Sequence, residues 1–317
     1  MLNLFANIFG RADEITSKLP AALVGTAIER AVDGTDPRLR MVPRYAKKLK
    51  KPVLYAADYI IDMIDSLPEP SVVSQKTLAS DPALSALFYS PEGMGKIVSC
   101  DPAMREFREL NPLWSGPVTA LLVANRIEKR GFGYAQVGEL VIRDVPRTTV
   151  GFEEHRFLEP AVKEQDTRFQ LKRRAFDYLL SVALSQLTER KDERASLTGH
   201  KALLRSKLNI IQRGGGFGQS ADAGEQVKLQ ERLKETESQL AALGASEDVL
   251  TDNLAIVIDV LRNAESHLWL EQKSLCIDKL YIVHDKPSAA APKILFNDCH
   301  NSEGRQITLR MVDIELE

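Results

Sequence analysis

Cysteine is scarce: the 317 residues hold three, Cys100, Cys276 and Cys299, widely spaced and odd in number. That excludes a disulfide scaffold and fits a reducing compartment. No run of eighteen apolar residues occurs, so no transmembrane helix is expected. The opening Met1-Leu2-Asn3-Leu4-Phe5 has no positive leader, and its apolar stretch ends at Arg11. A cleaved secretion signal is therefore not expected. Neither charge dominates, with 42 basic against 44 acidic side chains and a net charge of −2. At 44% apolar and 27% charged, the chain is too apolar to be disordered. At about 150 residues per domain, its length suggests two domains or one large domain with an extension.

The small net charge hides an uneven distribution. Residues 1–52 carry ten Lys/Arg against five Asp/Glu, whereas residues 247–317 carry seven against thirteen. The basic end is read as solvated charge, as a face for an anionic partner, or as a complement to the acidic end.

Helix start signals recur through the first 110 residues. Asp36-Pro37, Asp81-Pro82, Ser90-Pro91 and Asp101-Pro102 each set a capping oxygen before a proline. The oxygen can accept a free N–H of the first turn, and proline at the first helical position loses no useful donor. After Pro52, the apolar series Val53, Ala57, Ile60, Ile64 and Leu67 marks one helical face, which ends at Pro68-Glu69-Pro70. Asp-Pro-Ala occurs at 81 and again at 101, but one echo does not establish a repeat.

From 117 to 152 the pattern turns β-like. Val118–Val123, Glu139–Arg143 and Thr148–Val150 read as strands of a small antiparallel meander, with a turn at Arg130-Gly131-Phe132-Gly133 and a separator at Pro146. Trp114, Val118 and Leu121 also fit a helical face, which leaves the first strand ambiguous.

Between 160 and 245 the pattern becomes that of a coiled-coil seam. Phe176, Leu180, Ala183, Leu187, Arg190, Arg194, Leu197, Lys201, Leu204, Leu208 and Ile211 alternate four- and three-residue steps. Gly214–Gly218 ends that helix. A second seam runs through Leu229, Leu233, Thr236, Leu240 and Leu243. Folded back on the first, it sets Ile211 opposite Leu229, Leu208 near Leu233, Leu204 near Thr236 and Leu197 near Leu243. Arg190 then lies beyond the reach of the second arm, and Gly199 is a candidate break because glycine costs about 1 kcal/mol in a helix interior. A helix from Ser246 to Leu270 follows, and strands are expected over 275–283, 293–296 and 306–312.

The constellations that could carry chemistry are weak. Glu153-Glu154-His155 follows a predicted strand and could do acid–base work or hold a metal. Alternation lets only Glu153 and His155 converge, and no spaced His or Cys completes a zinc set. Asp298-Cys299-His300 could pair a thiolate with a base, but adjacency seldom supplies that geometry. Cys276 reads as a buried small apolar residue, and His267 and His284 have no companions. Gly93-Met94-Gly95-Lys96 lacks the spacing and the following Ser/Thr of a phosphate loop. The glycines at 214–218 follow a helix rather than a strand. The strongest electrostatic feature is Arg38, Arg40, Arg44, Lys47, Lys48, Lys50 and Lys51, a candidate anionic-surface site behind the apolar start Leu2, Leu4, Phe5, Ile8 and Phe9. Nucleic acid is not expected there, because Tyr45 is the only aromatic available to stack.

These readings add up to a helix-dominated α+β fold, with a long antiparallel helical hairpin inserted into a small antiparallel sheet. Residues 1–112 form a helical region carrying the basic segment 36–52, and 113–159 form a β-meander. Residues 160–245 form the hairpin, with a glycine-rich tip at 214–224. Residues 246–317 add a helix and the strands that complete the sheet. The leading functional expectation is a cytoplasmic interaction or scaffold protein meeting a partner or itself through 190–245, with the balance leaning against an enzyme. One alternative is an enzyme or a metal- or ligand-binding protein with a site near Glu153 and His155 on the sheet domain. The other is a peripheral adaptor on the inner face of a membrane, held by residues 1–52. No cofactor or metal is expected.

Overall fold

The computed structural model describes residues 17–137, 140–212, 223–243 and 249–315. The fold is helix-dominated α+β. In chain order come α1 (Ala21–Asp33), a 3-10 turn (Pro37–Met41), α2 (Tyr45–Asp65), β1 (Ser71–Val73), α3 (Gln75–Ser80), α4 (Pro82–Phe88), α5 (Pro91–Cys100) and α6 (Pro102–Leu110). They are followed by β2 (Val118–Val137), β3 (Leu140–Ala161), α7 (Glu164–Gln212), α8 (Ala223–Ala242), α9 (Val249–Arg262) and α10 (Ala264–His267). The chain closes with β4 (Leu268–Ile277), β5 (Ile282–His284), β6 (Lys293–Asn301) and β7 (Gln306–Ile314). Two compact units result. One comprises the described residues up to Asp58 with Asp177–Asn263; the other comprises Tyr59–Phe176 and the residues from Ala264 onward.

All four capping dipeptides act as their chemistry predicts. Asp36, Asp81, Ser90 and Asp101 each accept a first-turn N–H, with proline at the helix start. The two Asp-Pro-Ala copies do more. Asp81 caps α4 with Oδ1 and takes the Arg310 guanidinium on Oδ2 at 2.6 Å. Asp101 caps α6 with Oδ1 and takes the Phe157 N–H of β3 on Oδ2 at 3.1 Å. Each aspartate starts a helix and fastens it to a strand.

In the second unit the strand order is β1-β7-β2-β3-β5-β4-β6, and β7 pairs with β6 as well. Six antiparallel strands therefore close into a ring, and β1 adds a parallel pair on β7. Val118, Ala120, Leu122 and Ala124 alternate along β2 into a core shared with Phe152, Phe157, Phe296 and Val312 and with Leu84, Leu87, Phe88 and Met104 of the short helices. Leu121 and Val123 on the opposite face are buried too, which explains the unbroken apolar run. Thr167 of α7 donates to the Thr119 carbonyl at 2.9 Å. Arg168 closes the end of α2 by donating to the carbonyls of Ile64, Leu67 and Pro68.

The structure corrects several expectations. Arg130–Gly133 is not a turn, because β2 runs straight through it, pairing Arg130 with Thr148 and Phe132 with Pro146. Pro146 is tolerated because β3 meets β5 only at Thr148 and Thr149, leaving the edge at 146 without a ladder to interrupt. Helix α2 starts at Tyr45 and carries Pro52 inside it. Pro52 is buried beside Val53, Leu54, Ala56 and Ala57, so packing outweighs the missing hydrogen bond. The last helix ends early: Leu268–Leu270 are the first residues of β4. The segment 275–283 is two strands, turned where Asp278 Oδ1 accepts the N–H groups of Leu280 and Ile282. The proposed cap Ser246 and the tip 214–222 lie outside the described residues.

The first unit contains the hairpin. Helix α7 is 49 residues long, about 74 Å at about 1.5 Å per residue, and it passes Gly199 unbroken. Its seam residues Leu180, Ala183 and Leu187 are buried, as are Leu39, Leu49, Val53, Leu254 and Val257 of the same unit. Farther out, Leu204, Leu208 and Leu229 form a separate cluster with Leu233 packed against it. Glu237 of α8 pairs with both Lys201 and Arg205 of α7, in keeping with the antiparallel register read from the seams. Arg190 is not beyond the second arm: it donates to the Leu243 carbonyl and to Asp252, each at 3.0 Å.

Candidate functional site

Glu153 and His155 do not converge. Opposite Val123–Asn125, strand β3 spends three steps, Glu153 to Arg156, against two on β2. Glu154 takes the left-handed conformation, φ 55°, so this is a β-bulge. The extra residue shifts the alternation and puts His155 on the face of Phe152 and Phe157, while Glu153 stays exposed. His155 Nε2 lies 2.7 Å from the Leu87 carbonyl, and its ring stacks on Phe88 at 5.7 Å. Burial lowers its pKa, with the Leu87 carbonyl opposing that shift. The nitrogen facing a carbonyl must carry the proton, so the imidazole is a satisfied neutral donor. Glu154 accepts from Asn125 at 2.6 Å. These contacts secure helix α4 and the bulge and leave no acid–base pair.

Asp298, Cys299 and His300 also part company. Asp298 is buried, and its oxygens accept from Arg126 at 2.6 Å, Thr308 at 2.7 Å and Gln306 at 2.9 Å. His300 stacks on its cross-strand partner Trp269 at 5.4 Å and 9°, with Glu271 3.3 Å from Nε2. Burial pushes the Cys299 thiol up to about 11, so it is no nucleophile near neutrality. Among the described residues no group of three or more His, Cys, Asp or Glu is placed to hold a metal.

The basic segment divides in two. Arg38 pairs with Asp36 at 2.8 Å, and Arg40 with Glu29 and Asp33 at 2.7 Å each. Both arginines are absorbed by the acids of their own neighbourhood. Arg44, Lys47, Lys48, Lys50 and Lys51 are exposed and have no acidic partner among the described residues. Lys47 and Lys48 stand four and three residues before Lys51 and so share a face of α2 with it, while Arg44 precedes the helix in the left-handed conformation, φ 59°. Among the described residues, no helix is long and apolar enough to cross a membrane.

Two recesses were not legible in the sequence. One, in the sheet unit, has a volume of about 350 Å³ and is lined by Ser71, Asp81, Gln272, Lys293, Asn297 and Arg310 among others. Its principal charges, Asp81 and Arg310, are already paired. The other, of about 400 Å³ at the foot of the hairpin, is lined by Arg38, Arg190, Lys191 and Arg194 with Asp36 and Asp252. Here the apolar seam gives way to arginine, a change visible in the heptads, although the recess was not.

Sequence reasoning also missed the extent of the β2–β3 ribbon. Beyond Ala124, β2 leaves β7, and beyond Thr148 the ribbon pairs only with itself. Phe132 and Tyr134 stand on it, 77% and 61% exposed. The alternation of Phe132 and Tyr134 with Gly131 and Gly133 was the available signal, and the glycines disguised it as a turn.

Compared with known proteins, the chain matches no family model, and no curated protein and no solved structure resembles it.

Proposed function

We propose that this chain is a non-enzymatic interaction or scaffold protein whose α7–α8 hairpin meets a protein partner or a second copy. The observation that carries this reading is how little the outer arm buries. Among residues 195–209 and 226–243 only Leu204, Leu208, Leu229 and Thr236 are buried. Burying a leucine contributes about 1.5–3 kcal/mol, whereas fixing each residue's backbone costs about 1–2 kcal/mol. Such an arm adds little to the stability of the fold, so its length needs another reason, and a long helical surface suits a partner.

The test replaces 195–240 by a short Gly/Ser linker. The variant is expected to keep the thermal transition of the body. The full-length chain is expected either to sediment as a dimer or larger oligomer where the variant is a monomer, or to retain a lysate partner that rebinds when purified. The same oligomeric state and the same binding in the two chains would overturn the reading.

A second reading, a peripheral adaptor on an anionic membrane, is favoured by the cations of α2. They occupy the first two turns, which hold no acidic residue in the first turn. Cations there oppose the helix dipole and repel one another at i, i+3 and i+4. An anionic leaflet would offset both costs, at about 1 kcal/mol per basic residue. Co-sedimentation with phosphatidylserine vesicles at low salt, lost in Lys47→Glu/Lys51→Glu, is the expected result. No sedimentation at low salt would exclude this reading.

A further inference from the structure

The ribbon presents a second surface with a chemistry of its own. Along Arg130-Gly131-Phe132-Gly133-Tyr134, strand alternation sets Arg130, Phe132 and Tyr134 on one face and the two glycines on the other. Opposite Gly133–Ala135 a bulge inserts one residue between Val145 and Ile142, with Asp144 at φ 61°. This brings the Arg143 guanidinium over the Tyr134 ring, 6.0 Å from its centroid. From the glycine side Arg147 buttresses the same residue. Its side chain fills the space above Gly133, where an added Cβ would come within 2.9 Å of Arg147 Cδ, and it donates to the Tyr134 carbonyl. Two open rings are thus held on a fixed strand and rimmed by Arg130 and Arg143. Among the described residues from 129 to 147, Asp144 is the only acid.

We infer that this face binds single-stranded nucleic acid, with bases stacked on Phe132 and Tyr134 and phosphates neutralised by Arg130 and Arg143. Residues two apart on a strand are separated by about 7 Å, roughly twice the about 3.4 Å spacing of stacked bases. Neighbouring bases must splay to reach both rings, which a single strand permits and a duplex does not. A basic residue followed by glycine, aromatic, glycine and aromatic on an exposed strand is also the chemistry by which sheets take up unpaired bases. A bilayer would favour rings backed by aliphatic side chains, whereas these are backed by glycine and rimmed by guanidinium groups. This surface is independent of the hairpin and goes beyond the interaction role proposed above.

The test is fluorescence anisotropy of the full chain with labelled 20-nucleotide oligouridylate, oligothymidylate and a 20-base-pair duplex. Saturable binding to single strands, weakened by salt, is expected. Phe132→Ala and Tyr134→Ala should each weaken it about tenfold, and Arg130→Gln/Arg143→Gln should flatten the salt dependence. Because the rings are exposed, the melting temperature should hold; if an alanine variant melts early, Phe132→Leu carries the same expectation. Preference for oligouridylate would identify RNA as the ligand, and equal binding would support single strands of either sugar. No binding at 50 mM salt, duplex bound as tightly as single strands, or binding unchanged in both ring variants would overturn the inference. So would a chain that ignores oligonucleotides but binds phosphatidylserine vesicles through Phe132 and Tyr134.

Discussion

The Arg126 guanidinium meets the Asp298 carboxylate at 2.6 Å, with only 4% and 1% of the two side chains exposed. The contact joins β2 to β6 across the start of β7, whose Gln306 and Thr308 bond the same carboxylate. Arg126 continues the inward series Leu122, Ala124, and Asp298 continues Ile294, Phe296. Each charge therefore occupies a position that alternation reserves for the core.

Removing one partner should therefore cost far more than removing both. Arg126→Ala is expected to lower stability by about 3–5 kcal/mol in urea unfolding, because it leaves a buried carboxylate uncompensated. Arg126→Met/Asp298→Leu should lose markedly less than the sum of the single variants. Additive losses would show that the pair is not coupled.

The helix caps should rank by how many bonds each carries. Ser90→Ala removes one cap bond, at 3.0 Å from Gly93, and should cost about 1 kcal/mol. Asp101→Ala removes two cap bonds and strands the Phe157 N–H in the core, so about 2–3 kcal/mol is expected. Equal losses in thermal melting would mean that the Phe157 bond contributes nothing.

Caps of this kind were legible because both partners lie within three residues in the chain. The hairpin seam was legible for a related reason: the 3.5-residue period survives even where arginine replaces leucine. What could not be read depends on cross-strand register. The bulge at Glu154 decides which way His155 points, and it exists only relative to Val123 and Asn125. Gly131 and Gly133 look like a turn until β3 is laid beside them. The three-residue β1 carries too short a pattern to notice, and the Arg126–Asp298 pair needs two strands 172 residues apart to be neighbours.

His155 should make stability depend on acidity. Its pKa in the folded state lies below the ordinary value of 6.5 because burial penalises the charged form. The unfolded chain then binds the proton more readily. Stability should fall as pH drops from about 7 through 6.5 and level off below the folded pKa. His155→Phe keeps the ring stack on Phe88 but cannot titrate, so its melting temperature relative to wild type should gain on acidification. Parallel curves between pH 7 and 5 would exclude His155 as the group responsible.

The three thiols should separate cleanly. Cys100 is exposed, Cys276 buried and Cys299 half-buried with a raised pKa. A chromogenic disulfide reagent at pH 7.5 should react quickly with one thiol in the folded protein and with three in denaturant. Loss of the fast phase in Cys100→Ser would assign it, and a second fast thiol would contradict the burial of Cys299.

The strand order also has a temporal side. Thr119 of β2 bonds Asp313 of β7, 194 residues later, with the whole hairpin synthesised in between. At about 5–20 residues per second, the start of β2 leaves the ribosome roughly 10–40 seconds before the strand that completes it. For that interval the apolar run Val118–Ala124 has one bare edge. A chain that has not yet made β7 keeps that edge uncovered, so β7 decides whether the strands made first become a stable sheet.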